Sequence, residues 1–257
     1  MFYQIIQYIK FIFKSTNQHG VHSPFMYDLV TKCFYDKKIY PEYKNIANYR
    51  NELLKNNNFL EVNDLGPGSR KTKTNKRQIG EIAKTSGTTI KRAKLLYRIS
   101  KYFKSNTVLE LGTSLGTATQ AIGLGFPESN ITTIEGCPNI SFFSKSNFKK
   151  QQLNNIEVLT GDFDETIKNL SNKSYDLIFF DGNHQKEATL SYFENLLPKT
   201  NNNTVFIFDD IYWSKEMTEA WETIKQHPKV TVSLDTFYWG FVFFRKEQAK
   251  EHFTLRV

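Results

Sequence analysis

From Asn106 onward the chain alternates short, almost wholly apolar runs with amphipathic segments, and this alternation narrows the fold more than any other feature. The runs are TVLEL (107–111), ITTIE (131–135), IEVLT (156–160), YDLIFFD (175–181) and TVFIFDD (204–210). Strands that are apolar on both faces must be covered on both faces, which a mostly parallel sheet flanked by helices achieves. The segments between them supply the helices. In SKEMTEAWETIKQHP, Ser214 stands at the cap position, Met217, Ala220, Trp221 and Ile224 form one stripe, and Pro228 stops the run. The closing stretch VTVSLDTFYWGFVFFR splits around Tyr238 to Gly240 into two strand-like halves, an antiparallel hairpin that brings the sheet to seven strands.

Upstream, residues 1–85 read as a helical extension and 86–257 as the α/β domain. HSPFMYDLVTKCF opens with Ser23 as cap and Pro24 at the first helical position. TTIKRAKLLYRISKYF places Leu95, Leu96, Ile99 and Phe103 inward and its basic residues outward. The first segment, MFYQIIQYIKFIFK, is too short to span a bilayer, and Lys10 interrupts any signal-peptide core. On a helix its Gln4, Gln7, Lys10 and Lys14 share one stripe, with apolar residues over the broad remainder. Such a helix must bury that side against its own domain, a second copy in a homodimer, or a membrane interface.

Cys33 and Cys137 are far apart and lack metal-type spacing, so the expected location is a reducing one, cytoplasmic or peripheral to the inner membrane face. A net charge of +8 suits an anionic partner: nucleic acid, an acidic substrate or an anionic membrane. The lysines are dispersed, however, and the one dense patch is Arg70 to Arg77, with five cations in eight residues.

Two glycine loops compete for a ligand. DLGPGSRKTKTNKR (64–77) has no buried strand before it and no amphipathic helix after it. VLELGTSLGTA (108–118) has both: Gly112 and Gly116 let the backbone approach a ligand, while Leu115, Ala118 and Ile122 form a helical stripe behind them. Twenty-three residues after Gly112 the next strand ends in Glu135, placed to accept hydrogen bonds from a ribose diol. The series points to a nucleoside cofactor. Its GxxxG spacing differs from the GxGxxG of dinucleotide-binding loops.

Three carboxylates end two neighbouring strands, Asp181 after LIFF and Asp209 with Asp210 after VFIF. Parallel strands end on one edge of the sheet, so the three can converge there. Converging oxygen donors repel unless a cation neutralises them, and Mg²⁺ suits them. The plain alternative is that one or two of these acids cap helices or pair with lysines.

VLELGTSLG, TTIEGCP, GDF (161–163), YDLIFFDGNH and FIFDD together resemble the class I S-adenosylmethionine-dependent methyltransferases. Within them the likeness is to the metal-dependent O-methyltransferases, of which catechol O-methyltransferase is the familiar example, over roughly residues 86 to 247. The resemblance implies a Rossmann-like fold. It also implies that Glu110 and Gly112 lie by the methionine part of S-adenosylmethionine, with Gly116 in the turn, Glu135 on the ribose, and Asp162 and Phe163 bordering the adenine. Asp181, which also borders the cofactor, Asp209 and Asp210 fall at the metal positions. In catechol O-methyltransferase the last of these is an amide; related sugar O-methyltransferases carry the double acid seen here.

His184 stands where the resemblance to the catechol enzyme places a lysine that acts as base, and is the candidate base, with Asp181 the other catalytic candidate; the alternative is a supporting or loop-structural His184, with Lys186 as the nearest other base. The acceptor implied is a diol, catechol or sugar-like hydroxyl compound, acidic if Arg70, Lys71 and Lys73 hold it. In that family the segment before the core folds over cofactor and acceptor, which makes residues 60–80 a candidate lid or substrate loop. Tyr212, Trp213 and Trp239 are candidates for the walls of the mouth. Two further readings stay open. One is methylation of RNA or another anion, although no Asn-Pro-Pro-Tyr motif is present and Cys137-Pro138 reverses the order used in cytosine C5 chemistry. The other is a non-catalytic, membrane-associated scaffold.

Overall fold

The computed structural model describes residues 2–63 and 75–257. Its strands are β1 (Phe59–Glu61), β2 (Lys76–Gln78), β3 (Thr107–Leu111), β4 (Asn130–Glu135), β5 (Ile156–Thr160), β6 (Tyr175–Phe180), β7 (Thr200–Asp209), β8 (Val232–Asp235), β9 (Trp239–Phe243) and β10 (Glu251–Thr254). Its α-helices are α1 (Phe2–Lys14), α2 (Pro24–Leu29), α3 (Glu42–Leu54), α4 (Ile79–Thr85), α5 (Ile90–Phe103), α6 (Thr117–Gly125), α7 (Pro138–Lys150), α8 (Phe163–Asn169), α9 (Lys186–Leu196) and α10 (Lys215–Gln226). A π-helical turn, Val30–Phe34, continues α2.

The main sheet has the order β10-β8-β9-β7-β6-β3-β4-β5. All its strands run parallel except β9, which is inserted between β7 and β8 and antiparallel to both. The expected hairpin is therefore β8–β9. The expected seven strands are joined by an eighth, β10, at the edge beside β8. Its sequence, EHFT, is half to fully exposed and carries none of the apolar runs that mark the inner strands.

Alternate residues of the central strands feed two cores, one on each face. On one face Val108, Leu177, Phe179, Val205, Ile207, Phe241 and Phe243 pack with Leu96 and Ile99 of α5, and with Met26, Leu29 and Ile46 from α2 and α3. On the other, Leu109, Leu111, Ile178, Phe180, Phe206 and Phe208 meet Phe193 and Leu196 of α9 and Trp221 and Ile224 of α10. Burying one such side chain contributes roughly 1.5–3 kcal/mol. Helices α2 and α3 thus share a core with the sheet. The predicted caps are present, with Ser23 Oγ accepting from the Met26 N–H and Ser214 Oγ from that of Met217.

The chain moves from β3 through β4 to β5 on one side, then returns to place β6 on the other side of β3. This reversal opens a crevice at the carboxyl ends of β3 and β6, where ligands bind in open α/β sheets. A third core group lies over it. Tyr49 and Leu53 of α3, Val62, and Ile79 and Ile82 pack against Leu115, Cys137 and Ile140, and Tyr49 Oη donates to the Leu115 carbonyl at 2.6 Å. The segment expected to fold over the site begins and ends in the antiparallel pair β1–β2. Its Gly-Pro-Gly turn and Arg70, Lys71 and Lys73 lie outside the described residues.

Candidate active site

The glycine loop after β3 is built around two left-handed backbone positions, Gly112 at φ 104° and Gly116 at φ 80°. A side chain at Gly112 would strike the backbone carbonyl of Asp181, and one at Gly116 would come within 2.5 Å of the Phe148 ring. Glycine is required at both for sterics as well as for conformation. The loop is stitched to the adjacent strand ends. The Asp181 N–H donates to the Leu111 carbonyl at 2.9 Å, and the Gly112 and Thr113 N–H groups donate to that of Ile134 at 2.9 and 3.2 Å. Three non-glycine residues with positive φ follow the ends of β3, β6 and β7: Ser114 (47°), Asn183 (50°) and Asp210 (52°). Such conformations cost of order 1–3 kcal/mol and cluster at functional sites.

Glu110 is fully buried beneath the loop. Its Oε2 accepts the hydroxyls of Thr119 and Thr133 at 2.5 and 2.6 Å, while Oε1 is buried without a hydrogen-bond partner. Burial pushes its carboxyl up to about 7, against the two hydroxyl bonds and helped by the charge of Glu135. Glu135 ends β4 and is held to the loop, Oε2 accepting from the Ser114 N–H and Oε1 from the Cys137 N–H, both at 2.9 Å. Asp162 caps α8, accepting from the Glu165 N–H at 3.2 Å, and is exposed. Phe163 turns inward, stacking edge-on with Tyr192 and lying so close to Gly182 that a Cβ there would fall 2.6 Å from its ring.

Beside the loop, ligand atoms of Asp181, His184 and Asp209 lie within 4.8 Å of one another. Burial raises Asp181 well above the usual carboxylate range, and the adjacent Asp209 raises it further, with Glu110 and Asp210 adding to it. Asp210 is pushed up to about 6 by burial and by Asp209, partly offset by His184 and Arg92. Asp209 Oδ1 is buried without a hydrogen bond, and its nearest cation, the Arg92 guanidinium, stands 3.6 Å away. The structure thus gathers three of the expected residues into one donor set and leaves Asp210 on its flank, facing His184 and Arg92. Several acids that raise one another's pKa values in a cleft mark a site that gains from a bound cation.

Residues 109–211 match the family model described as a methyltransferase domain. Over this stretch the chain is similar to methyltransferase domains. This likeness agrees with the S-adenosylmethionine-dependent methyltransferases that the motifs resemble. The fold is shared with solved structures at low identity. The S-adenosylhomocysteine-bound methyltransferase PaMTH1 of Podospora anserina superposes with a TM-score of 0.63 at 14% identity, over 88% of this chain and 98% of its own. The O-methyltransferase TomG of Streptomyces achromogenes gives 0.57 at 14%, over 81% and 91%. An O-methyltransferase of Bacillus cereus in complex with S-adenosylhomocysteine gives 0.52 at 18%, over 82% and 96%. A sequence search of curated proteins finds no match.

Sequence reasoning misses one charged residue beside the candidate site. Arg92, on the first turn of α5, was placed outward with the other basic residues. Instead its guanidinium reaches Asp209 and covers the Tyr238 ring, 4.3 Å from its centroid. Arg98 also turns inward, donating to the Cys33 and Phe34 carbonyls and to Tyr43. A long cation on a basic helix carries no signal of which way it points. Of the aromatic wall candidates, Trp239 is core, packed on Phe179 and Phe241. Tyr212 is half-buried, stacked on Phe237, with its hydroxyl donating to Asp235.

Proposed function

We propose that the methyltransferase moves the methyl group of S-adenosylmethionine to a hydroxyl oxygen of a small molecule held at the ends of β6 and β7, with a divalent cation, Mg²⁺, at Asp181 and Asp209. The observation that carries this reading is the Asp181–His184–Asp209 donor set beside a glycine loop with no room for side chains. The naming of the Bacillus and Streptomyces neighbours as O-methyltransferases supports oxygen as the atom methylated.

The residues fit both groups. S-adenosylmethionine carries a sulfonium and an ammonium, and the crevice offers Glu110, with one buried unpartnered oxygen, and the carboxylate of Glu135. In this reading Glu110, Gly112 and Gly116 hold the methionine portion, Glu135 the ribose hydroxyls, and Asp162, Phe163 and Asp181 the remaining wall. For the cation, Asp181 and Asp209 are hard oxygen donors whose mutual repulsion it would relieve. When bound, it would supply Lewis-acid stabilisation of a deprotonating hydroxyl.

The chain's own residues do the rest. His184 accepts the acceptor's proton at a ring nitrogen, work that general bases do with a gain of roughly 10²–10⁴ in rate. Arg92 pairs with Asp209, and the Gly112 backbone, pinned against Asp181, fixes the distance between cofactor and acceptor sites. Positioning of this kind provides much of the acceleration in a bimolecular displacement.

The test is transfer of labelled methyl from S-adenosylmethionine to a panel of catechols, diols and sugars, with Mg²⁺ or a chelator, for wild type and Asp181→Asn. Transfer that needs Mg²⁺ and is lost in the variant supports the reading. Transfer unchanged in chelator refutes the metal, and absence of cofactor binding by calorimetry refutes the whole.

A further inference from the structure

Helix α1 is packed the opposite way round from an ordinary amphipathic helix. Toward the protein it turns Phe11, which is buried, and Tyr3, Gln4 and Gln7, which are half-buried. Toward water it turns Phe2, Ile5, Tyr8, Ile9, Ile12 and Phe13, which fall within an arc of about 140° at 3.6 residues per turn. Phe2, Tyr8 and Phe13 are 78%, 46% and 88% exposed. Their rings alone leave about 400 Å² in water, taking roughly 200 Å² as the area of a whole aromatic side chain. With the three isoleucines the patch passes the roughly 300–600 Å² that is the largest on a typical monomer.

Charge decides between the two surfaces that would cover such a face. The helix carries Lys10 and Lys14, both exposed, and no acidic residue. Beyond its end, burial and the cations of Lys225, Lys250 and Lys14 hold the imidazole of His252 below the ordinary value against the Glu222 carboxylate, which pairs with the buried Lys225. The chain as a whole carries +8. A second copy would set these cations against their like, whereas an anionic lipid surface complements them.

We infer that α1 lays the protein on an anionic membrane surface, its apolar arc in the headgroup–acyl boundary and Lys10, beside the arc's edge, reaching the phosphates while Lys14 adds to the positive field. No helix among the described residues is long and apolar enough to cross a membrane, so the contact is peripheral. The place of attachment adjoins the site. Tyr8 and Phe11 contact Phe237 with centroids at 4.9 and 5.5 Å, and Phe237 contacts Tyr212 and Tyr238, both at 5.1 Å. Tyr238 lies under Arg92, the partner of Asp209. On the function proposed above, the acceptor is then a hydroxyl compound resident at the lipid surface.

The experiment is co-sedimentation of the full chain with vesicles of mixed phosphatidylglycerol and phosphatidylcholine, or of phosphatidylcholine alone. Binding is expected to the mixed vesicles and to fall as salt is raised. Lys10→Gln with Lys14→Gln should weaken it roughly tenfold or more. Ile5→Ser, Ile9→Ser and Phe13→Ser together should abolish it while leaving the cooperative thermal unfolding in place, because more than half of each of these residues already faces water. Equal binding to both vesicles overturns the role of charge. No binding to either, with light scattering showing a dimer that the triple variant dissolves, assigns the face to a second copy and overturns the proposal. Neither result depends on methyl transfer, so failure here leaves the catalytic reading standing.

Discussion

Glu110 makes the buried acids of this site measurable without knowing the acceptor. Its carboxyl is fully buried and is raised from 4.5 to about 7. A group whose folded pKa lies above its unfolded one binds more protons in the native state between the two values, so stability falls as pH rises through that window. At about 1.4 kcal/mol per pKa unit, ionising Glu110 costs the ligand-free protein on the order of 3 kcal/mol at pH 8 and under about 1 kcal/mol at pH 5. Glu110→Gln removes the ionisation while keeping an oxygen for the Thr119 and Thr133 hydroxyls. Urea unfolding of wild type and variant, without cofactor or metal, should show the variant's relative stability improving by about 2–3 kcal/mol from pH 5 to pH 8. Taking the difference between the two proteins cancels the titrating groups that Glu110 does not reach, and losing its charge, which raises Asp181, adds to the difference in the same direction. Parallel stability profiles would refute the argument, since Glu110 would then be ionised in the fold at no cost. With S-adenosylmethionine bound, the difference should narrow, because a cation beside the carboxylate repays its burial.

Asp181→Asn should remove Mg²⁺ binding in calorimetry while raising the apo-protein's stability near neutral pH, because it relieves the clash with Asp209. His184→Ala should lower kcat by roughly 10²–10³-fold with little change in cofactor affinity, and exogenous imidazole should restore part of it. Gly116→Ala should cost about 1–3 kcal/mol, since it adds a Cβ 2.5 Å from Phe148 at a left-handed position, and thermal unfolding reads it directly.

The parts of this fold that were legible in sequence are those set by local physics. Buried parallel strands need unbroken apolar runs, so β3 to β7 were found to within a few residues, and Ser23, Pro24 and Ser214 marked their helices through the chemistry of caps. Gly112 and Gly116 were readable because the strand and helix around them have their own periodicity. What escaped depends on partners distant in sequence. β10 has an exposed pattern, and pairing with β8 makes it a strand. Arg92 needed Asp209 and Tyr238, and the outward turn of α1 needed Phe237, which engages Tyr8 and Phe11 from the opposite end of the chain. The convergence of Asp181 and Asp209 was readable from strand order. That His184 joins them while Asp210 turns aside goes with the left-handed backbone at Asn183 and at Asp210, which no periodicity announces.

Phe237 itself sits at φ 72°, an unfavourable conformation for an aromatic residue. Its amide is held by the Asp235 carboxylate at 2.8 Å, and its ring lies between α1 on one side and Tyr212 and Tyr238 on the other. A residue under such tension, shared by two surfaces, acts as a thermodynamic ledger between them. If seating α1 favours one arrangement of Phe237 and that arrangement favours the acceptor, then the acceptor must strengthen the seating of α1 by the same factor. Attachment and acceptor binding would be two readings of one equilibrium, both tunable from residue 237.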